Sequence, residues 1–356
     1  MGNKKLRLAI VGVGNCASSL VQGISHYGSR NTTEGVITPV IGGYGPGDVE
    51  VVAAFDVTDH KVGMSLGLAI EAHPNCTLRF ADPVGGPIVQ RGPTLDGLGK
   101  YLRESVRESE LSPVDVAQAL HAAQADVLVS YLPVGSAEAA RHYAHACLAA
   151  GVGYVNCMPE FICSSDEWAD RFKAANIPAI GDDIKSQVGA TIVHRQLAQL
   201  MRDRGVVLDR TYQLNFGGNS DFLNMLERER LKSKKISKTQ AVTSVMGVEL
   251  PERDVHVGPS DFVPWLEDRK FAHIRLEGRG WGGAPMSIDL KLEVHDSPNS
   301  AGVVMDAIRC VATARDHGEG GVLTEASAFY MKSPPEQMDD GMALAALELW
   351  LGERRG

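Results

Sequence analysis

Leu6-Arg-Leu-Ala-Ile-Val-Gly12-Val-Gly14-Asn15-Cys16-Ala17-Ser18 decides the fold. Residues 6–11 are an almost unbroken apolar run, the pattern of a parallel strand buried on both faces. Gly12-x-Gly14-x-x-Ala17 follows at once, and a helix over about 17–27 comes next. In this order the first glycine permits a tight turn and the second lets backbone approach a pyrophosphate. The small Ala17 lets the helix pack close to the strand. The helix N-terminus adds N–H donors and partial positive charge. The stretch reads as the dinucleotide-binding turn of a βαβ unit, with Gly12, Gly14, Asn15, Cys16 and Ala17 as cofactor-binding candidates. The alternative is a glycine turn in an α/β protein that binds no nucleotide.

Further strands extend this beginning. Residues 49–55 are a second buried run ending at Asp56. A carboxylate there binds the ribose 2′-hydroxyl of NAD and repels the 2′-phosphate of NADP; the alternative is a solvated strand-end Asp. Asp56 lies further from Gly14 than usual, and residues 28–48, rich in Gly, Pro and Thr, read as an insertion or mobile loop. Residues 126–131 form another strand and bring Ser130 to the sheet edge as a further cofactor-binding candidate. A helix over 137–150 closes at Gly151, and 152–157 and 178–181 are short strands. Strands alternating with helices make a doubly wound sheet with right-handed crossovers.

From residue 186 the pattern changes. A long amphipathic helix runs over 186–204, closed by Gly205, and 212–216 is strand-like. Residues 271–277 and 286–294 alternate apolar and polar around Arg-Gly-Trp-Gly-Gly, an antiparallel hairpin with one solvated face. Helices from Pro298 to about 317 and over 342–351 pack back on the first unit. The expected class is α/β: a Rossmann-type doubly wound parallel sheet over 1–187, completed by 297–356, with a second α+β domain over 188–296.

Composition narrows the function. The chain has 356 residues, about two domains' worth, with ordinary globular hydrophobic (44%) and charged (22%) fractions. Its 35 basic and 44 acidic residues give a net charge of −9, which attracts neither nucleic acid nor an anionic membrane. The six cysteines form no C-x-x-C pair and read as reduced core thiols of a cytoplasmic protein. The N-terminal apolar run is too short for a membrane span and ends in the glycine turn, so no targeting segment is expected.

An acidic protein that binds an anion needs a local cation cluster. Residues 227–238 hold six cations, Lys234 and Lys238 among them, against two carboxylates. A solvated helix face is the ordinary alternative. Just before it, Asn215-Phe-Gly-Gly-Asn219-Ser-Asp221 is a polar loop after a strand whose glycines allow close backbone approach and whose amides and carboxylate can bind hydroxyls. Gly181-Asp182-Asp183-Ile184-Lys185-Ser186-Gln187 lies at a strand end, where open sheets bind ligands. Lys270 starts a strand, and Lys332 sits in an apolar stretch broken by prolines. A desolvated lysine serves as acid or base; on residues alone, a snorkelling surface lysine is the stronger reading. His142 and His145 have helical metal-pair spacing but read as surface histidines.

Three motifs in order, Gly-Asp-Asp-Ile-Lys-Ser-Gln (181–187), Asn-Phe-Gly-Gly-Asn-Ser-Asp (215–221) and Ser-Lys-Lys-Ile-Ser-Lys (233–238), closely resemble inositol-3-phosphate synthase. Residues 88–97, His295-Asp-Ser-Pro-Asn-Ser and Met331-Lys-Ser-Pro-Pro are similar to its short prokaryotic form, and the resemblance covers nearly the whole chain. The chain departs from the longer members in length, in its plainer glycine turn and over 28–48. The resemblance implies an NAD-dependent, redox-neutral conversion of D-glucose 6-phosphate to 1D-myo-inositol 3-phosphate. C5 is oxidised, the ketone permits enolisation at C6, the enolate closes on C1, and C5 is reduced. This is the first step of inositol and inositol-phospholipid synthesis. It further implies that the second domain is catalytic and oligomerising, that the protein is a cytoplasmic homotetramer, and that activation by a monovalent or divalent cation is open, with no metal ligands assigned.

Carried over by motif, Lys270 serves the C5 oxygen. Lys332 and Lys234 stabilise oxyanions, and Lys238 binds the phosphate or aldehyde oxygen. Asp183 and Asp296 orient those lysines or relay protons. Asn215, Asn219 and Asp221 position sugar hydroxyls or the nicotinamide amide. Asp183 and Ser186 lie at the nicotinamide end, and Asp221 and Lys234 also count as cofactor-binding. The competing readings are a two-domain NAD dehydrogenase with net NADH release, for which Cys157 is the candidate thiol, and a non-enzymatic dinucleotide sensor.

Overall fold

In the computed structural model the structure describes residues 5–30, 32–82, 85–231, 241–247 and 250–354. Lys234 and Lys238 lie outside them. The first strands are β1 (Leu6–Val11), β2 (Val49–Asp56) and β3 (Val89–Arg91), followed by β4 (Val127–Ser130), β5 (Gly153–Asn156) and β6 (Pro178–Ile180). After β7 (Val207–Gly217), β8 (Val255–Phe262), β9 (Arg269–Arg279) and β10 (Pro285–His295), the chain returns to make β11 (Gly321–Val322). Seven strands form one all-parallel sheet in the order β11-β6-β5-β4-β1-β2-β3. Beginning at β1 and stepping outward both ways is the doubly wound order, and it sets the C-terminal ends of β1 and β4 side by side, where such sheets bind ligands.

β4 and β5 are buried along their whole length, since helices cover both faces of the sheet. Burying each Val, Leu or Ile contributes about 1.5–3 kcal/mol before the entropy of ordering is subtracted. One face packs under the helices Val116–Ala122, Ala137–Ala150 and Asp166–Ala174. The other packs on the helix Asn15–Ser29 and the 21-residue helix Asp296–Asp316. The latter is buried on nearly every side, as a helix apolar all round must be. It begins two residues before Pro298, which sits harmlessly in its first turn.

Residues 32–48 are not a mobile loop, and this corrects the reading of 28–48. Ile41 and Tyr44 are buried. Arg309, wholly buried in the long helix and paired with Asp306 at 2.5 Å, donates to the carbonyls of Thr38 (2.8 Å), Pro39 and Tyr44 (both 3.1 Å). The Tyr44 hydroxyl reaches Asp316 Oδ2 at 2.7 Å. An insertion without regular structure is thus held by satisfying its backbone carbonyls from a core arginine.

The second sheet has the order β10-β9-β7-β8. β9 and β10 pair antiparallel from Arg279↔Pro285 to Arg269↔His295, as the alternation requires. β7 runs antiparallel to β9 but parallel to β8, a pairing the sequence did not signal. The helix Ala190–Asp203 covers one face through Ala198 and Met201, over Leu208, Ile274 and Leu276. It starts later than residue 186 because the Gln187 and Val188 N–H groups are bonded to Asn299 instead.

Candidate active site

A cavity of about 280 Å³ runs from the glycine turn, past the C-terminal ends of β1 and β4, to the near end of the second sheet. At its first end the turn is built by contact. Gly12 has φ +85°, and a Cβ there would stand 2.6 Å from the Tyr131 carbonyl oxygen, so only glycine fits between β1 and β4. A Cβ on Gly14 would meet nothing within 4 Å, which leaves space in front of the helix N-terminus. Asn15 and Cys16 line the cavity, whereas Ala17 is wholly buried against the sheet. Asn15 Oδ1 accepts from the Cys76 and Thr77 N–H groups at 2.7 and 3.1 Å and so fixes residues 76–77 beside the turn.

Asp56 is at the cavity wall but is not idle. Its Oδ2 accepts from Val13 N at 2.7 Å, and its Oδ1 from Val57 N and Thr58 N at 2.7 and 2.9 Å. Behind it Lys61, buried, donates to the Val13 carbonyl at 2.8 Å and to Asn75 Oδ1 at 2.9 Å. Burial pushes the Lys61 ammonium down, and the Asp56 charge opposes that shift. Both groups clamp the Val13 peptide. Lys61 was not singled out by the sequence.

The structure places Ser130 and Asn215 outside the cavity wall. Ser130 is wholly buried at the end of β4, and the cavity wall on that side begins with Tyr131. Asn215 is wholly buried in β7, outside the wall, donating to the Gly258 carbonyl at 2.8 Å and accepting from Gln213 at 3.1 Å. It shares a face with Thr211 and Gln213, which hydrogen-bond His194 of the covering helix. Alternation in the strand turns that whole polar row inward.

At the middle of the cavity Asp183, with φ +61°, points its carboxylate at Lys332, whose Nζ lies 2.9 Å from Oδ1 and 2.6 Å from the Ile184 carbonyl. Backbone bonds lock the two segments together: Lys332 N donates to Asp183 O, and residues 182 and 333 exchange both bonds. The lysine is 15% exposed, so the snorkelling reading does not hold. Asp182 points the other way, into the protein, where it accepts from Asn156 Nδ2 (2.7 Å), from the N–H groups of Ile162, Cys163 and Ser164, and from Ser164 Oγ (2.8 Å). Burial raises its pKa to about 6, against those donors. Ser186 lies on the cavity wall near Asp183.

The second sheet closes the far end. Lys270, at the start of β9, reaches Asp296 Oδ1 at 3.0 Å, 5.8 Å from the centre of the Phe222 ring. Register makes the pair: Arg269 sits opposite His295, and Asp296 N donates to the Asp268 carbonyl. Asn219 and Asp221 line the same wall, where Asn219 Oδ1 caps the short helix Ser220–Asn224 by accepting from the N–H groups of Asp221 and Phe222. Gly218 does allow a close approach, but to the protein itself. A Cβ there would stand 2.5 Å from Glu267 N and Val263 O, so the loop packs on the turn leading into β9.

Comparison with known proteins bears on this arrangement. The family model for myo-inositol-1-phosphate synthase matches residues 189–297. The inositol-3-phosphate synthase of Mycobacterium tuberculosis (strain H37Rv) is 58% identical over 348 residues, 97% of this chain and 95% of that one. The chain belongs to the inositol-3-phosphate synthase family. The synthase of Corynebacterium glutamicum is 54% identical over 362 residues, 99% of this chain and all of that one. Among solved structures, that described as Ari2 is 35% identical with a TM-score of 0.78, covering 98% of this chain and 99% of its own. A synthase-related protein of Thermotoga maritima, 22% identical with a TM-score of 0.80 over 98% of both chains, shares the fold.

Within this synthase-family cavity, Cys157 borders the wall, but burial drives its thiol pKa well up, which keeps it protonated and unfit as a nucleophile. Cys16 is likewise pushed up to about 12, by burial and by the charges of Asp296, Asp268 and Asp221. All six cysteines are free thiols. Among the described residues no cluster of His, Cys, Asp and Glu could hold a metal ion, and no helix is long and apolar enough to cross a membrane. Asp268, buried behind the Lys270 pair, was missed as well. No local pattern marks it, and its partners come from residues 77, 219 and 297.

Proposed function

We propose that the protein converts D-glucose 6-phosphate to 1D-myo-inositol 3-phosphate, using NAD that is restored in each turnover. The observation that carries this reading is the single cavity joining the glycine turn to two Lys–Asp pairs, in a chain of this family. The residues fit NAD: the space before Gly14 faces a helix N-terminus, as a pyrophosphate needs, and Asp56 stands at the end of β2. When bound, NAD supplies a reversible two-electron oxidation at C5 of the sugar.

In this reading Gly12, Gly14, Asn15, Cys16 and Ala17 form the pyrophosphate end, Asp56 the ribose end, and Asp183 and Ser186 the nicotinamide end. Lys270, oriented by Asp296, exchanges the C5 hydroxyl proton. The C5 ketone acidifies C6–H, and that proton passes to a phosphate oxygen of the substrate. Lys332, oriented by Asp183, stabilises the enolate oxygen that results, where a fixed cation in a dry site is worth most. The enolate carbon C6 then bonds to C1, and the aldehyde oxygen takes a proton to become a hydroxyl. Lys234 and Lys238 are assigned to the oxyanions and the phosphate by motif. Asn219 and Asp221 position sugar hydroxyls.

We assign residues 1–187 with 297–356 to cofactor binding, and 188–296 to catalysis and self-association. The alternating exposure of the edge strand β10 supports a homo-oligomer built there, and the free thiols support a cytoplasmic setting.

The test is incubation with glucose 6-phosphate and sub-stoichiometric NAD, following product by phosphorus NMR and NADH by absorbance. Inositol phosphate in excess over NAD, without lasting NADH, is expected. NADH accumulating with an oxidised product would replace this reading with a net dehydrogenase.

A further inference from the structure

The cavity wall beside the glycine turn holds two charged side chains, Asp56 and Lys61. They meet on one residue of that turn: Asp56 Oδ2 accepts from Val13 N at 2.7 Å, and Lys61 Nζ donates to Val13 O at 2.8 Å. Lys61 is 3% exposed, a burial that lysines rarely take without a charge to face. Its two acceptors, the Val13 carbonyl and Asn75 Oδ1, are neutral. The charge that faces it is the Asp56 carboxylate, which opposes the downward push of burial on the ammonium. Arg91 stands opposite Asp56 in the register of β2 and β3, but its guanidinium turns to Glu108 at 2.5 Å and does not line the cavity. The other charged side chains of the wall, Asp221 and the two Lys–Asp pairs, stand at its middle and far end.

Both groups keep room for a ligand. An ammonium has three donors, and Lys61 uses two. A carboxylate has about four acceptor positions. Asp56 spends two on Oδ1 and one on Oδ2, so Oδ2 can still accept from a hydroxyl. A ribose 2′-hydroxyl needs one such acceptor. A 2′-phosphate brings negative charge instead, which a carboxylate repels and a neighbouring cation attracts.

We propose that Lys61 is a specificity-determining residue whose ammonium offsets the Asp56 carboxylate, so that the choice between NAD and NADP is set by the pair and not by the carboxylate alone. The wild type favours NAD because Asp56 keeps an acceptor for the 2′-hydroxyl, while Lys61 limits how strongly the 2′-phosphate is rejected. The inference rests on the function proposed above for the presence of a dinucleotide, so its test reads binding and not turnover.

The test is calorimetric titration of NAD and NADP into the wild type and a set of variants. Lys61→Met is expected to raise the preference for NAD over NADP at least about fivefold, because Asp56 is left uncompensated. Asp56→Asn is expected to lower that preference at least about fivefold, because Lys61 is left as the sole charge. The double variant has neither charge and is expected within about threefold of the wild-type ratio. Asn75 Nδ2 also donates to the Val13 carbonyl, at 3.1 Å, so that carbonyl stays satisfied when Lys61 is replaced. Lys61→Gln keeps a side-chain donor as well and is expected to match Lys61→Met. An unchanged ratio in Lys61→Met, a wild-type ratio in Lys61→Gln, or a double variant no different from Asp56→Asn would overturn the proposal. A wild type that binds neither dinucleotide would remove the functional reading and this inference together, and that result is seen before any variant is made.

Discussion

The two Lys–Asp pairs of the cavity are alike in chemistry and unlike in construction. Asp183 and Lys332 belong to the parallel-sheet side, are 5% and 15% exposed, and are welded by main-chain bonds between residues 182–183 and 332–333. Lys270 and Asp296 belong to the second sheet, are 20% and 19% exposed, and are set opposite each other by the register of a hairpin with a free edge. One pair is fixed by its own backbone. The other depends on where a sheet ends and on what clamps that end. Mutation should therefore cost stability at the first pair and geometry at the second.

Removing either amine carries the largest expected effect. Lys332→Ala and Lys270→Ala should each lower kcat by about 10³-fold, the range of a proton-transfer or oxyanion group. NAD affinity, read by calorimetry, should hold. An unchanged kcat in either variant removes that lysine from the mechanism. The carboxylates then separate the two constructions. Asp183→Asn keeps a residue at ease with φ +61° but strips the buried lysine of its partner's charge, and should cost about 3 kcal/mol in denaturant unfolding. Asp296→Asn should cost about 1 kcal/mol, because its pair is better hydrated. Equal costs would erase the distinction.

The two sides also answer acid in opposite senses. Asp182, behind the first pair, has a folded pKa of about 6 against an ordinary 3.8, so only between those two values is it neutral in the folded protein and charged in the unfolded chain. Its contribution to stability is present at low pH and is lost as pH rises through about 6. His194, behind the second sheet, is pushed down by burial to about 4 from 6.5. Its contribution is present above 6.5 and is lost as pH falls through that window. Each shift is worth up to about 3 kcal/mol. Asp182→Asn should steepen the loss of stability between pH 7 and 4, and His194→Gln should flatten it, in melts across that range. Matching slopes for both variants would contradict the assignment. At Gly218→Ala a Cβ would stand 2.5 Å from the backbone of residues 263 and 267, and denaturant unfolding should show a loss of about 3 kcal/mol.

Much of the first side was legible because its signals are local. The apolar run into Gly12, the alternation of strand and helix, and a helix ending at Gly151 with φ +69° are each written in neighbouring residues. The hairpin of β9 and β10 was legible for the same reason, through period-two alternation. The pairing of β8 beside β7 was not, because parallel pairing between distant strands leaves no local trace. The site divides in the same way. Asp183, Lys270, Asp296 and Lys332 sit in motifs and meet in the cavity. Asn215 and Ser130 sit in equally polar contexts, but which face a side chain takes is decided only when strand register is known. Asp268 escaped notice, and Asp182 was read only as part of its motif, because what distinguishes them is the set of donors that folding brings from elsewhere in the chain.

The long helix Asp296–Asp316 has a consequence for how the protein is made. It supplies much of the core under the first sheet, and β11 and Trp350 add to that side later still. A nascent chain that has just left the ribosome as far as β6 holds six of the seven strands, yet one face of that sheet has only the helix Asn15–Ser29 to cover it, and the carbonyls of Thr38, Pro39 and Tyr44 have no arginine to donate to them. Vectorial synthesis therefore cannot finish the first sheet before the second has been translated. The first six strands wait, with apolar surface exposed, for residues 296–316.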